Sequence, residues 1–161
     1  DVKREIEEVL KSIILDDVTV RFNLDNEQKI ANGKKPSKGM QSTINLMFKE
    51  AFIGKGWESE KNVFNDPTND LAIDFWKRNV GVDVAFNHRS YIGGDLLRLQ
   101  AAAEVENIDN VGVYICPTRQ FANVVSPKDA SSMVSFERAK WYLENFHPVL
   151  TSPILLIGLH G

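Results

Sequence analysis

Asp74 and Asp83 stand nine residues apart, and Asp83 sits among alternating apolar residues (Val80, Val82, Val84, Phe86). An unpaired carboxylate in such a setting is costly. Two carboxylates brought together raise each other's pKa unless a cation lies between them. A hard, oxygen-preferring ion such as Mg²⁺ resolves that conflict. It also polarises a phosphoryl oxygen and lowers the pKa of water, which is what phosphodiester hydrolysis requires. Spacing alone leaves a plainer alternative open, two turn-flanking aspartates that are simply exposed.

The elements that must position this pair are two strands, Leu71 to Lys77 and Val80 to Phe86, joined by a tight Arg78-Asn79 connection. Alternation puts every second side chain on one face. Val80, Val82, Val84 and Phe86 then face a core, while Gly81, Asp83 and Ala85 face a site. If the strands form a hairpin, Asp74 comes close to Asp83.

The rest of the chain reads as supporting elements. Ile6, Val9, Leu10, Ile13 and Ile14 have helical spacing over 3–15. Val18 to Phe22 reads as a short strand, and residues 25–39, with Gly33, Pro36 and Gly39, as a flexible loop. Its Lys29, Lys34, Lys35 and Lys38 are either solvated or close over phosphates. A helix is expected over 41–53, with Ile44, Met47, Phe48 and Ala51 inward and Gly54-Lys55-Gly56 ending it. Trp57 opens the next segment, and residues 65–70 read as a turn. Gly93-Gly94 precedes a helix over about 95–105, with Leu96, Leu99 and Ala103 on one face. A strand over 111–116, a helix near 132–145 with Phe136, Trp141 and Tyr142 in the core, and a strand over 153–158 complete an α/β arrangement around a mixed sheet.

The 161 residues suit one compact domain, 1–161, of ordinary soluble composition. Cys116 is the only cysteine, which rules out an internal disulfide and a zinc-cysteine cluster and suits a cytoplasmic location. No apolar run reaches the ~20 residues that span a bilayer, so no membrane role is expected. The opening Asp1-Val2-Lys3-Arg4-Glu5 has no signal-peptide core and reads as a helix cut from a longer chain. A net charge of −3 does not announce a polyanion partner, although Lys29 to Lys38, Lys77-Arg78 and His88-Arg89 are locally basic.

The segment from about Asn45 to Leu159 resembles the PD-(D/E)XK nucleases, and within them the BglII/BstYI type of restriction endonuclease. The matching features run in order: Ile44-Asn45 and Phe48-Lys49 leading to Gly56-Trp57, then Asp74 with Asp83, Phe86 and Asp95-Leu96. They continue through Asn110-Val111-Gly112-Val113 and Ser131-Ser132 to Pro153-Ile154-Leu155-Leu156-Ile157-Gly158. The resemblance implies a restriction-endonuclease-like core, a central mixed β-sheet flanked by helices. It also implies a homodimeric, Mg²⁺-dependent type II enzyme that hydrolyses palindromic double-stranded DNA, with a GATC-containing site as the first expectation. By position, Asp74 and Asp83 would be metal-binding and catalytic carboxylates, Asp83 standing in place of the family's usual Glu. Val84 would offer its carbonyl to the metal. Ala85 falls at the catalytic position where a Lys, Glu or Gln orients or activates water, and Ala can neither donate nor accept. Lys77 is one candidate substitute, and Glu50 a candidate supporting acid.

Asn87, His88 and Arg89 follow the metal strand and carry base-reading chemistry, since Arg pairs with guanine and Asn with adenine. Ser131 and Ser132 either contact DNA or cap the following helix. Arg119 either reaches phosphate or is a surface residue. The alternative to a nuclease is a DNA-binding domain of the same fold whose catalysis is impaired at Ala85. A third possibility is an unrelated α/β interaction domain in which the two aspartates are incidental.

Overall fold

A computed structural model describes residues 1–66, 68–105 and 111–161. Five strands form one mixed sheet in the order β1-β2-β3-β4-β5. They are β1 (Glu58–Asn62), β2 (Ala72–Lys77), β3 (Val80–Val84), β4 (Val111–Pro117) and β5 (Ile154–Leu159). The first three are antiparallel neighbours, and β3, β4 and β5 run parallel. Parallel neighbours need crossover connections. Here α4 (Ile92–Val105) lies between β3 and β4 in the chain, and α5 (Arg119–Val125) and α6 (Phe136–Asn145) lie between β4 and β5.

Period-two alternation divides the core into two layers. Val82, Val113 and Ile115 point to one side, where they meet Ile6 and Val9 of α1 (Val2–Ser12), Val18 of α2 (Leu15–Ala31), Ile44, Phe48 and Phe52 of α3 (Gln41–Gly54), and Phe121 of α5. Ala85, Tyr114 and Cys116 point to the other, against Ile92, Leu96 and Leu99 of α4 and Ala139 of α6. The α/β core with helices on both faces is therefore as the sequence predicts. The β2–β3 hairpin also falls where expected, with Lys77 paired to Val80. Arg78 adopts φ 54°, a left-handed conformation that a two-residue connection demands and non-glycine residues seldom take. Gly81 allows close packing on the α4 side, where a Cβ would sit 3.1 Å from Ile73 and 3.2 Å from the Trp76 ring.

Several local expectations are overturned. Val18 to Phe22 is helix, not strand. The buried or half-buried positions 15, 18, 22, 25 and 29 recur with helical period, and Asp16 and Asp17 favour the N-terminal end of α2. Residues 25–31, expected to open a loop, continue this helix. The returning segment is pinned, because Asn26 Oδ1 accepts from the Ser37 amide at 2.7 Å and Lys29 Nζ donates to Ser37 Oγ at 2.6 Å. Gly93 and Gly94 lie inside the first turn of α4 rather than before it, and Ala102 takes the inward place expected for Ala103. Strand β1 and helix α5 were not anticipated. Of the quoted residues, Pro67 in the expected 65–70 turn and Asn110 before β4 lie outside the described residues.

Candidate active site

The hairpin end nearest α4 carries the two aspartates. At Asp74 and Asp83 the ladder between β2 and β3 is completed by side chains rather than by backbone. The Asp74 amide donates to Asp83 Oδ1 at 3.1 Å, and the Val84 amide donates to Asp74 Oδ2 at 2.8 Å. Each carboxylate thus bonds to the strand opposite. Asp83 is 1% exposed. Its Oδ2 accepts from Arg98 Nη2 at 2.9 Å and from Nε at 3.3 Å. Arg98 Nη2 also reaches Asp95 Oδ1 at 3.2 Å, and Asp95 Oδ2 accepts from the buried Tyr114 hydroxyl at 2.9 Å. Asp74 Oδ1 has no partner among the described residues.

The electrostatics follow from crowding three acids around one base. Burial raises the Asp83 carboxyl to about 7, Arg98 opposes the rise, and the Asp74 charge adds to it. Burial also raises Asp74 and Asp95, against the Val84 amide at the first and the Tyr114 hydroxyl at the second. Burial disfavours the charged form of Arg98, but the Asp83 charge and hydrogen bond, with the charges of Asp95 and Asp74, together offset this and raise its pKa. Tyr114 is pushed far up by burial and by Asp95.

Asp74, Asp83, Asp95 and Arg98 line a cleft of about 470 Å³ that also admits Asn45 and Lys49 from α3, Ser59 and Glu60 from β1, and Val84, Ala85, Asn87 and Tyr91. Lys49 Nζ lies 3.6 Å from Glu60. Glu60 takes φ 58° opposite Asp74, where the β1–β2 pairing skips one step. A non-glycine residue in that conformation inside a strand is locally strained. The Asn87 side chain lines the same cleft as Asp95 and opposes the rise of its carboxyl pKa.

Of the sequence-predicted residues, the cleft brings together Asp74, Asp83, Val84, Ala85 and Asn87. His88 and Arg89 lie just outside it, in an adjacent depression of about 520 Å³ shared with Arg119, Glu137, Arg138 and Trp141. Ser131 and Ser132 occupy a short turn beside this segment, because His88 bridges to Met133 and the Val134 amide donates to the Asn87 carbonyl at 3.0 Å. Neither serine caps the following helix; Ser135 does, accepting from the Arg138 amide. Trp141, expected in the core, is 53% exposed.

Two candidates are corrected. Lys77 cannot stand in for residue 85, because it shares the opposite sheet face with Phe75 and its Nζ is held by Glu5 at 2.8 Å and the Lys55 carbonyl at 2.7 Å. Glu50 pairs with Arg21 at 3.0 Å on the exterior and does not line the cleft. Arg98, Glu60, Ser59 and Tyr91 are polar cleft residues that sequence reasoning missed. The signal for Arg98 was the Asp95-Arg98 spacing, which puts both on one helix face in the first helix after β3.

Among the described residues no three His, Cys, Asp or Glu side chains are grouped to hold a metal ion. Two carboxylates, however, are what a Mg²⁺ site ordinarily takes from a protein, solvent and phosphate oxygens supplying the rest. The free Asp74 Oδ1 and the excess of acids over Arg98 both fit a hard divalent ion.

The model of the restriction endonuclease BglII/BglIII family matches residues 1–159. A crystal structure of restriction endonuclease BglII complexed with a DNA 16-mer superposes with a TM-score of 0.60 at 23% identity, covering 73% of this chain and 55% of that one. This chain therefore spans about half the length of that solved relative. No curated protein matches it.

Proposed function

The chain belongs to the restriction endonuclease BglII/BglIII family, and on that basis we propose that it is a Mg²⁺-dependent type II endonuclease acting on palindromic double-stranded DNA. The observation that carries this reading is the pair of cross-bonded aspartates, Asp74 and Asp83, at the floor of an open cleft. Asp74, Asp83 and the Val84 carbonyl are the groups that would hold the ion. When bound, Mg²⁺ supplies Lewis acidity toward phosphate and a more acidic water. The reaction adds the water hydroxyl to phosphorus, breaks the bond to the 3′ oxygen and returns a proton to that oxygen. The protein's part is to hold the phosphate in line and to keep the acids poised. Asp74 and Asp83 are proposed as catalytic residues.

Asn87, His88, Arg89, Ser131 and Ser132 are proposed to contact DNA, because the structure groups them along one rim beside the cleft. A GATC-containing site is the first target to test. A palindrome calls for one active site per strand, hence a homodimer. No helix among the described residues is long and apolar enough to cross a membrane. The buried free thiol of Cys116 and a DNA substrate suit the cytoplasm.

Digestion of a mixed-sequence plasmid with and without Mg²⁺, followed by mapping of the ends, tests the proposal. The expected result is discrete fragments with 5′-phosphate ends, formed only with the ion. A second reading, a DNA-binding domain with impaired catalysis, is favoured by one observation: Ala85 lines the cleft with no functional group. Salt-sensitive binding to duplex DNA without cleavage would select it.

A further inference from the structure

The cleft sets a charge problem for the proposed substrate. A DNA phosphate is an anion, and Asp74, Asp83 and Asp95 meet it. Two cations line the same cleft. Lys49 is half-exposed and sits near Glu60. Arg98 is held far more firmly. Its Nε and Nη2 bond to Asp83, Nη2 bonds to Asp95, and Asp95 is fixed by the fully buried Tyr114. The guanidinium is thus clamped over β3 from α4. Its Nη1 donates to nothing among the described residues. A guanidinium has five N–H groups in a rigid fork, so donors remain for a ligand. Ala85, two residues after Asp83 in the same cleft, has a side chain that offers none.

We propose that Arg98 binds a non-bridging oxygen of the scissile phosphate and stabilises the charge that develops there, with Asp95 and Tyr114 as its positioning residues. The inference rests on the nuclease reading and names a further residue of that site. A charge-assisted donor fixed beforehand in a partly buried cleft stabilises a developing anion better than a mobile surface lysine does. The competing role is structural, Arg98 serving only as counter-ion to Asp83.

The test compares the wild type with Arg98→Gln, Arg98→Lys and Tyr114→Phe. Single-turnover cleavage of a GATC-containing duplex is measured with Mg²⁺. Binding is measured in EDTA on a set of duplexes, each with a neutral methylphosphonate at one phosphate of the site. Arg98→Gln is expected to slow cleavage by on the order of 10²–10³-fold, the loss seen when a fixed transition-state donor is removed. Arg98→Lys is expected to fall between it and the wild type, and Tyr114→Phe to slow cleavage more than it weakens binding. One methylphosphonate duplex should bind the wild type several-fold more weakly than the unmodified duplex, and Arg98→Gln should show no such penalty. Should Arg98→Gln fail to fold, Arg98→Lys carries both comparisons. Equal cleavage by the wild type and the Arg98 variants, or identical methylphosphonate profiles, would overturn the inference while leaving the nuclease reading intact. A wild type that neither binds nor cuts duplex DNA would overturn both.

Discussion

Two polar regions share the segment that follows β3, and they are built on opposite terms. At the cleft, buried Asp83 and Asp95 are joined through Arg98, and Asp95 is held from below by the buried Tyr114, so that each of these carboxylates depends on another group. On the neighbouring rim, Arg89 and Arg119 are exposed, and the His88 ring bonds to Ser90 of its own turn. The first arrangement fixes charged groups in place at a cost in desolvation. The second leaves long cations free to meet a phosphate backbone, where affinity follows charge and salt. Changes in the cleft should therefore alter rate and stability together, and changes on the rim should alter binding alone.

The largest effect that would break this contrast is at Asp83. Asp83→Asn should lower single-turnover cleavage by on the order of 10³-fold while leaving DNA binding intact or tighter, because a negative charge near phosphate is removed. Unchanged cutting would remove the residue from the site. Next comes Tyr114→Phe. Taking away the partner of buried Asp95 should cost about 1–3 kcal/mol in urea denaturation. A change within about 0.5 kcal/mol, typical of exposed positions, would show the network to be slack.

Titration gives a third contrast. Asp83 is raised from its ordinary 3.8 to about 7 by burial. Between those values the folded state holds more protons than the unfolded one, so stability is greatest below the lower value and falls as pH rises through about 7. In EDTA the melting temperature should drop between pH 5 and pH 8, and Mg²⁺ should restore it at pH 8 but not at pH 5. A flat profile in EDTA would mean that Asp83 is not strained. The smallest expected effects belong to the rim. Arg89→Ala should weaken binding evenly across sequences if it meets phosphate and reduce the salt slope by about 1, without moving the melting temperature. A selective loss at one base pair would instead make it a base reader.

The two regions were unequally legible in the sequence. The β2–β3 hairpin and the shared face of Asp83 and Ala85 followed from alternation, because a half-buried strand repeats every two residues. Applied to β2, the same rule excludes Lys77, whose neighbour Phe75 already points to the opposite layer. Val18 to Phe22 deceived because its β-branched residues suit a strand locally, and only the longer repeat from Leu15 to Lys29 reveals the helix. The clamp on Arg98 joins residues from β3, α4 and β4, and no spacing along the chain places Tyr114 beside Asp95. The grouping of Ser131 and Ser132 with His88 depends likewise on one bridge between distant segments.

Whether a divalent ion occupies the aspartate pair can be read from the paramagnetic resonance of Mn²⁺. The ion is titrated into the wild type and into Asp83→Asn, each saturated with a GATC-containing duplex. A protein-bound Mn²⁺ signal is expected in the wild type and should be lost in the variant while DNA remains bound. Equal Mn²⁺ binding by the two proteins would contradict occupancy of the pair.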